Sequence, residues 1–76
     1  MTRRVKGPAA AEIEQNLSLL RKTAGLTQEQ LAAAVGVTRK TINTVERGHY
    51  VPSTVLALRL AAALDTTVEE IFSLPE

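Results

Sequence analysis

Cysteine is absent from this sequence, which excludes disulfides and thiolate metal sites and is compatible with a reducing compartment. A single histidine, His49, leaves no multi-histidine metal centre. Aromatic residues are reduced to Tyr50 and Phe72, so any core must be assembled from Leu, Val, Ile and Ala. No apolar run approaches the roughly 20 residues that a membrane span needs. Arg3, Arg4 and Lys6 near the N-terminus are not followed by the apolar segment of a secretory signal. There is no glycine-rich phosphate loop. Glu69 and Glu70 are adjacent, so on a helix they diverge and form no carboxylate dyad. An enzyme is therefore not expected, and no cofactor, metal or small-molecule ligand is called for.

What remains is a 76-residue chain with 45% hydrophobic residues, enough for one small domain and no second. Its formal net charge is only +1, but the charge is unevenly spread. Residues 1–50 carry eight Lys and Arg against four acidic residues. Residues 51–76 carry Arg59 against Asp65, Glu69, Glu70 and Glu76. One end of the molecule is thus suited to a polyanion and the other to water or a partner.

Alanine-rich segments with apolar residues at helical spacing predict five short helices and no strands. The basic arm 1–8 ends at Gly7-Pro8, and a first helix is expected over Ala9 to Ala24, with Ile13, Leu17, Leu20 and Ala24 on one stripe. Gly25 stands where a left-handed cap residue is needed. A second helix runs from Thr27 to Val35, opened by the capping pair Thr27 and Gln30. Gly36 makes the turn and Val37 plugs the gap beyond it. A third helix, Thr38 to Arg47, sets Thr41, Ile42 and Val45 on one side at about 100° per residue. Arg39, Lys40, Asn43, Thr44 and Arg47 occupy its other side, a face of donors without an acid. Ser53 caps a fourth helix through Leu64, apolar nearly all round and so expected at the centre of the core. Thr67 and Glu70 open a short fifth helix through Phe72, after which the tail 73–76 has little to order it. The expectation is an all-α, compact five-helix bundle spanning residues 9–72.

The second and third helices fit a helix-turn-helix. Two helices that cross steeply need a small residue at the contact (Ala32), a glycine turn (Gly36) and an apolar back to the second helix (Ile42, Val45). The chain resembles the Cro/phage-repressor, or XRE-like, family of helix-turn-helix regulators. The resemblance is carried by Leu20-Arg21, by Gly25-Leu-Thr-Gln-Glu-Gln-Leu-Ala and by Val35-Gly-Val-Thr-Arg-Lys-Thr-Ile. Val45-Glu-Arg-Gly, Pro52-Ser and Leu58-Arg-Leu-Ala extend it over roughly residues 13–72. Asp65 departs from the pattern, since the family often has glycine after the fourth helix; aspartate tolerates the left-handed conformation at some cost.

The resemblance implies a lambda-repressor-like fold and a sequence-specific, double-stranded DNA-binding transcriptional regulator. It implies that Arg39, Lys40, Asn43 and Thr44 read base edges, and that Gln28, Thr38 and Arg47 contact the DNA backbone, Gln28 also bracing the recognition helix. The chemistry of the side chains agrees: Arg or Lys can reach guanine O6 and N7, and Asn can reach adenine N6 and N7. Glu46, which would repel DNA beside Arg47, is expected to turn inward and pair with Arg21, or else to stand at the rim in water. The arm 1–8 is open to two readings, a solvated terminus or a segment touching phosphates.

Proteins of this type dimerise, with half-sites about 34 Å apart on one face of DNA. The apolar surplus near the C-terminus predicts a homodimer through the fifth helix and the edge of the fourth, using Leu56, Leu60, Ile71, Phe72 and Leu74. No ligand-binding or cleavage domain is expected, and the implied setting is the prokaryotic or phage-bearing cytoplasm, at the nucleoid. The alternative from another class is a protein-interaction module on the same fold, an antitoxin-like or adaptor subunit.

Overall fold

The structure is a computed structural model that describes residues 13–75. In order it forms β1 (Glu14–Gln15), α1 (Leu17–Thr23), α2 (Gln28–Val35), α3 (Arg39–Glu46), α4 (Thr54–Ala63), α5 (Val68–Ile71) and β2 (Phe72–Ser73). The arm 1–8 and the expected opening of the first helix up to residue 12 lie outside the described residues.

Four of the five helix starts, those of α2 to α5, follow from a capping residue. Thr27 accepts from the Gln30 backbone N–H while the Gln30 side chain accepts from the Thr27 N–H, completing the capping box. Thr38, Ser53 and Thr67 accept from the backbone N–H groups of Thr41, Leu56 and Glu70 in the same way. The ends of α1 to α4 share one geometry. Leu26, Val37, His49 and Thr66 donate their backbone N–H to Arg21, Ala32, Thr44 and Ala61, five residues back, across a left-handed residue. That residue is glycine three times; at the end of α4 it is Asp65, with φ 55°.

The first helix is shorter than its apolar stripe suggests. Residues 13–16 are not helical: Glu14 pairs with Ser73 and Gln15 with Phe72, antiparallel, and Asn16 N–H donates to the Ile71 carbonyl at 3.0 Å. Asn16 makes no side-chain cap. The Gln15 Oε1 accepts the Leu17 N–H at 2.8 Å instead. The pairing also orders Phe72 and Ser73, so α5 ends at Ile71 and the tail is held at its start. A two-residue strand has no periodicity of its own; it exists because the two ends of the domain meet.

The core is aliphatic, with Leu17, Leu31, Ile42, Leu60 and Ile71 almost fully enclosed and Val35 and Val45 beside them. Each such side chain contributes about 1.5–3 kcal/mol of burial. Ala32 is buried on α2, which packs against both α3 and α4. α4 is a correction to the all-round burial expected of it. Leu56, Ala57, Leu60 and Ala61 face inward, whereas Val55 and Leu58 are each 57% exposed. The expected dimer contacts Leu56, Leu60 and Ile71 are likewise corrected. At 6%, 0% and 1% exposure they are monomer core, unable to meet a partner. Of the five, only Phe72, half-buried, and Leu74, exposed, remain at the surface.

One polar cluster crosses this core. Arg21 of α1 donates from Nε to Glu46 Oε2 at 2.6 Å and from Nη2 to Oε1 at 3.2 Å, with both side chains at least nine-tenths enclosed. Its Nη1 donates to the Leu26 carbonyl at 2.8 Å. The hydrogen bond to Glu46 raises the Arg21 pKa above its ordinary value, outweighing the lowering effect of burial, so the guanidinium stays charged. Gln28 Nε2 donates to Glu46 Oε1 at 3.0 Å, and Gln15 Nε2 to the Glu46 carbonyl at 2.8 Å. Glu46 therefore ties β1, α1 and α2 to the end of α3, and the inward reading of Glu46 is the one the structure shows.

Stability measurements on three variants test this account of the fold. Removing one member of a buried pair strands the other, so Glu46→Ala should lose about 3–5 kcal/mol in urea unfolding. The double variant Arg21→Met with Glu46→Leu should lose far less than the two single losses added together; strict additivity would show that the pair is not a unit. Asp65→Gly relieves the left-handed strain but loosens the unfolded chain, for a net gain of about 0.5–1 kcal/mol. A lowered melting temperature for that variant would show that the aspartate side chain contributes something glycine lacks.

Candidate nucleic-acid interface

The outer face of α3 is set by what its inner face must do. Ile42 and Val45 are fully enclosed and Thr41 half-buried, which leaves the remaining positions of the helix to solvent. Arg39, Lys40 and Arg47 are exposed, and Asn43 and Thr44 half-exposed. All seven residues picked out by sequence thus lie on α3 or immediately beside it, on Gln28 and Thr38. No acidic side chain interrupts them, because Glu46, the one acid of α3, is turned into the core by Arg21. The structure places these residues together; it holds no nucleic acid, and their roles toward one are taken up below.

Several of these side chains are already engaged. Thr38 Oγ1 caps α3 at the Thr41 N–H and lies 3.2 Å from the Thr41 hydroxyl. Thr44 donates its hydroxyl hydrogen to the Lys40 carbonyl at 2.8 Å, so outward it offers only lone pairs and a methyl group. Arg39 Nη1 donates to Gln28 Oε1 at 3.4 Å, linking the first turn of α3 to the start of α2. Arg47, at the C-cap, has no acidic partner among the described residues. Lys40, Thr41, Thr44 and the exposed Tyr50 line a shallow depression of about 210 Å³ at the edge of the face. Sequence reasoning gave Tyr50 no place beside α3; the proximity arises from the turn at Gly48 and carries no local signal. It also missed Gln15, whose role as a strut to α3 depends on the strand pair.

A second surface feature lies away from α3. Ile13, Val51, Pro52, Leu58, Val68 and Phe72 are among the residues around an apolar groove of about 750 Å³ between the connector, α4 and α5. Val51 is 40% exposed and Leu74, just beyond β2, 74%.

With this geometry in view, the comparison with known proteins is direct. A family model described as helix-turn-helix matches residues 17–71, most of the chain. An uncharacterised HTH-type transcriptional regulator of Methanothermobacter thermautotrophicus is 56% identical over 57 residues, covering 74% of this chain and 83% of that protein. The uncharacterised HTH-type transcriptional regulator YgzD of Bacillus subtilis is 46% identical, covering 75% and 86%. Among solved structures, the restriction-modification controller protein C.AhdI of Aeromonas hydrophila superposes with a TM-score of 0.67 at 44% identity, over 71% of this chain and 78% of that one. The clp gene regulator ClgR of Corynebacterium glutamicum superposes with a TM-score of 0.68 at 30% identity, over 71% and 57%. Fold, motif and relatives agree that this chain belongs to the XRE-type helix-turn-helix family of DNA-binding transcriptional regulators.

Proposed function

We propose that the chain binds double-stranded DNA sequence-specifically, with α3 in the major groove, as a homodimer on a (pseudo)palindromic operator. The observation that carries this reading is the acid-free face of α3: a solvated helix face normally mixes charge signs, and here the one carboxylate is withdrawn into the core. Arg39 and Lys40 in the first turn have the reach to bond guanine, and Asn43 has the paired donor and acceptor that adenine presents. Thr44, its hydrogen spent on Lys40, suits a base amino group or the thymine methyl. Gln28, Thr38 and Arg47 flank these residues and suit phosphates, which hold a helix in register without reading sequence. Occupancy of the operator then controls transcription.

The homodimer rests on surface the monomer leaves uncovered. One recognition helix makes few contacts, and a second copy doubles them one turn of DNA away. The groove of Val51, Leu58 and Phe72, with Val55 and Leu74 nearby, is an apolar surface that a soluble monomer has no reason to expose.

In vitro selection from a random duplex pool should enrich an inverted repeat, and affinity for it should fall steeply as salt rises. Arg39→Ala and Asn43→Ala should each relax preference at their own base position by roughly 1–3 kcal/mol. A uniform loss across all positions would reassign them to the backbone. No binding even at low salt would sink the DNA reading in favour of a protein-interaction module. Sedimentation at tens of micromolar tests the dimer separately. Leu58→Glu, at an exposed site, should convert dimer to folded monomer, and a wild-type protein that sediments as a monomer would remove the homodimer from the proposal.

A further inference from the structure

The shallow depression beside α3 is walled from two sides. Lys40, Thr41 and Thr44 come from the helix, and Tyr50, 43% exposed, comes from the connector beyond the left-handed turn at Gly48. The His49 N–H donates to the Thr44 carbonyl at 3.1 Å, which fastens the connector to α3 one residue before the tyrosine. The hydroxyls of both threonines are engaged within the protein. Thr44 donates to the Lys40 carbonyl at 2.8 Å, and the Thr41 hydroxyl shares a hydrogen bond with that of Thr38 at 3.2 Å. The Lys40 ammonium and the Tyr50 hydroxyl stand at the ends of long side chains, whose methylene stem and ring form the remaining walls.

Such a hollow suits a methyl group better than a polar one. A base amino or carbonyl group entering it would exchange water for hydroxyls that are already bonded. The major-groove edge of DNA carries one apolar group, the C5-methyl of thymine, and 5-methylcytosine presents the same group at the same place. The depression, about 210 Å³ and shallow, takes the edge of a base pair without a base leaving the stack. We propose that Lys40, Thr44 and Tyr50 form a receptor for a pyrimidine C5-methyl group, and that Tyr50, outside α3, is a specificity-determining residue. The proposal rests on α3 lying in the major groove, and it names the base feature that this edge of the face selects. Of the two partners that suit Thr44, an amino group and a methyl, the tyrosine ring favours the methyl. Lys40 can lay its stem along that methyl and extend its charge to a neighbouring base or phosphate.

The first test changes the DNA and leaves the protein as it is. In the operator recovered by selection, each thymine is replaced in turn by deoxyuridine, which removes the methyl and keeps every hydrogen-bonding group. One thymine in each half-site should be sensitive, with affinity falling roughly fourfold per half-site, the worth of one buried methyl group. Cytosine at that position should gain by a similar factor when methylated at C5. Equal binding of the methylated and unmethylated cytosine operators would overturn a receptor for the methyl itself.

The second test assigns the effect to the hollow. Tyr50→Ala and Thr44→Ser should each bring the thymine and deoxyuridine operators close to equal affinity, whereas Tyr50→Phe should keep the wild-type ratio. Both sites are at least partly exposed, and thermal melting checks that the variants fold. A ratio that survives Tyr50→Ala, with affinity merely scaled down, would overturn the proposal and leave Tyr50 as a phosphate contact or the methyl effect as one of DNA shape. Indifference to deoxyuridine at every position would overturn it with DNA binding intact. Failure to bind any duplex at low salt is a separate result, which removes the groove reading and this proposal with it.

Discussion

The Arg21–Glu46 pair is the constraint on which the rest of the structure depends. An outward carboxylate near the end of α3 would stand beside Arg47 and put an acid on the face proposed to meet DNA. Enclosing it in the core is costly unless every lone pair is used. Arg21 and Gln28 bond the carboxylate, and Gln15 bonds the carbonyl of the same residue. These partners come from β1, α1 and α2, so satisfying one residue fixes the end of α3 against three other elements. The apolar core supplies most of the stabilisation, but aliphatic packing is non-directional. The charged, geometrically specific cluster is what defines the depth and rotation at which α3 sits.

That rotation has a functional consequence. With Ile42 and Val45 facing the core and Glu46 facing Arg21, the helix presents Arg39, Lys40, Asn43, Thr44 and Arg47 as one surface. The network does not stop at the surface, because Gln28 carries it outward to Arg39. Core and candidate interface form one connected set of hydrogen bonds. This gives a physical reason for a polar cluster in a domain too small to spare much apolar volume.

Local signals account for most of what could be read directly from the chain. The capping residues Thr27, Thr38, Ser53 and Thr67 marked helix starts correctly, because an N-cap is an interaction between residues two or three apart. Gly25, Gly36 and Gly48 marked helix ends for the same reason. The failures were all at long range. Ile13 looked like the start of a helical stripe, yet residues 14 and 15 pair with 72 and 73, nearly sixty positions away. Leu56, Leu60 and Ile71 looked like surplus apolar surface, yet they fill the monomer interior and leave Val55 and Leu58 outside.

By itself, then, the sequence determined the five helices, the turn from α2 into α3 at Gly36, and the acid-poor composition of one helix face. All of these depend on residues within a turn or two of one another. Only the tertiary structure decided where the first helix begins, which leucines are core, and how the Gln28 amide is turned. Each of these depends on a partner supplied by a distant segment: β2 for β1, the packing of α4 for its leucines, and Glu46 for the amide. A residue pattern states what a helix can bury; which of its equivalent apolar positions is buried, and which end of an amide faces in, is settled only when the other side of the contact arrives.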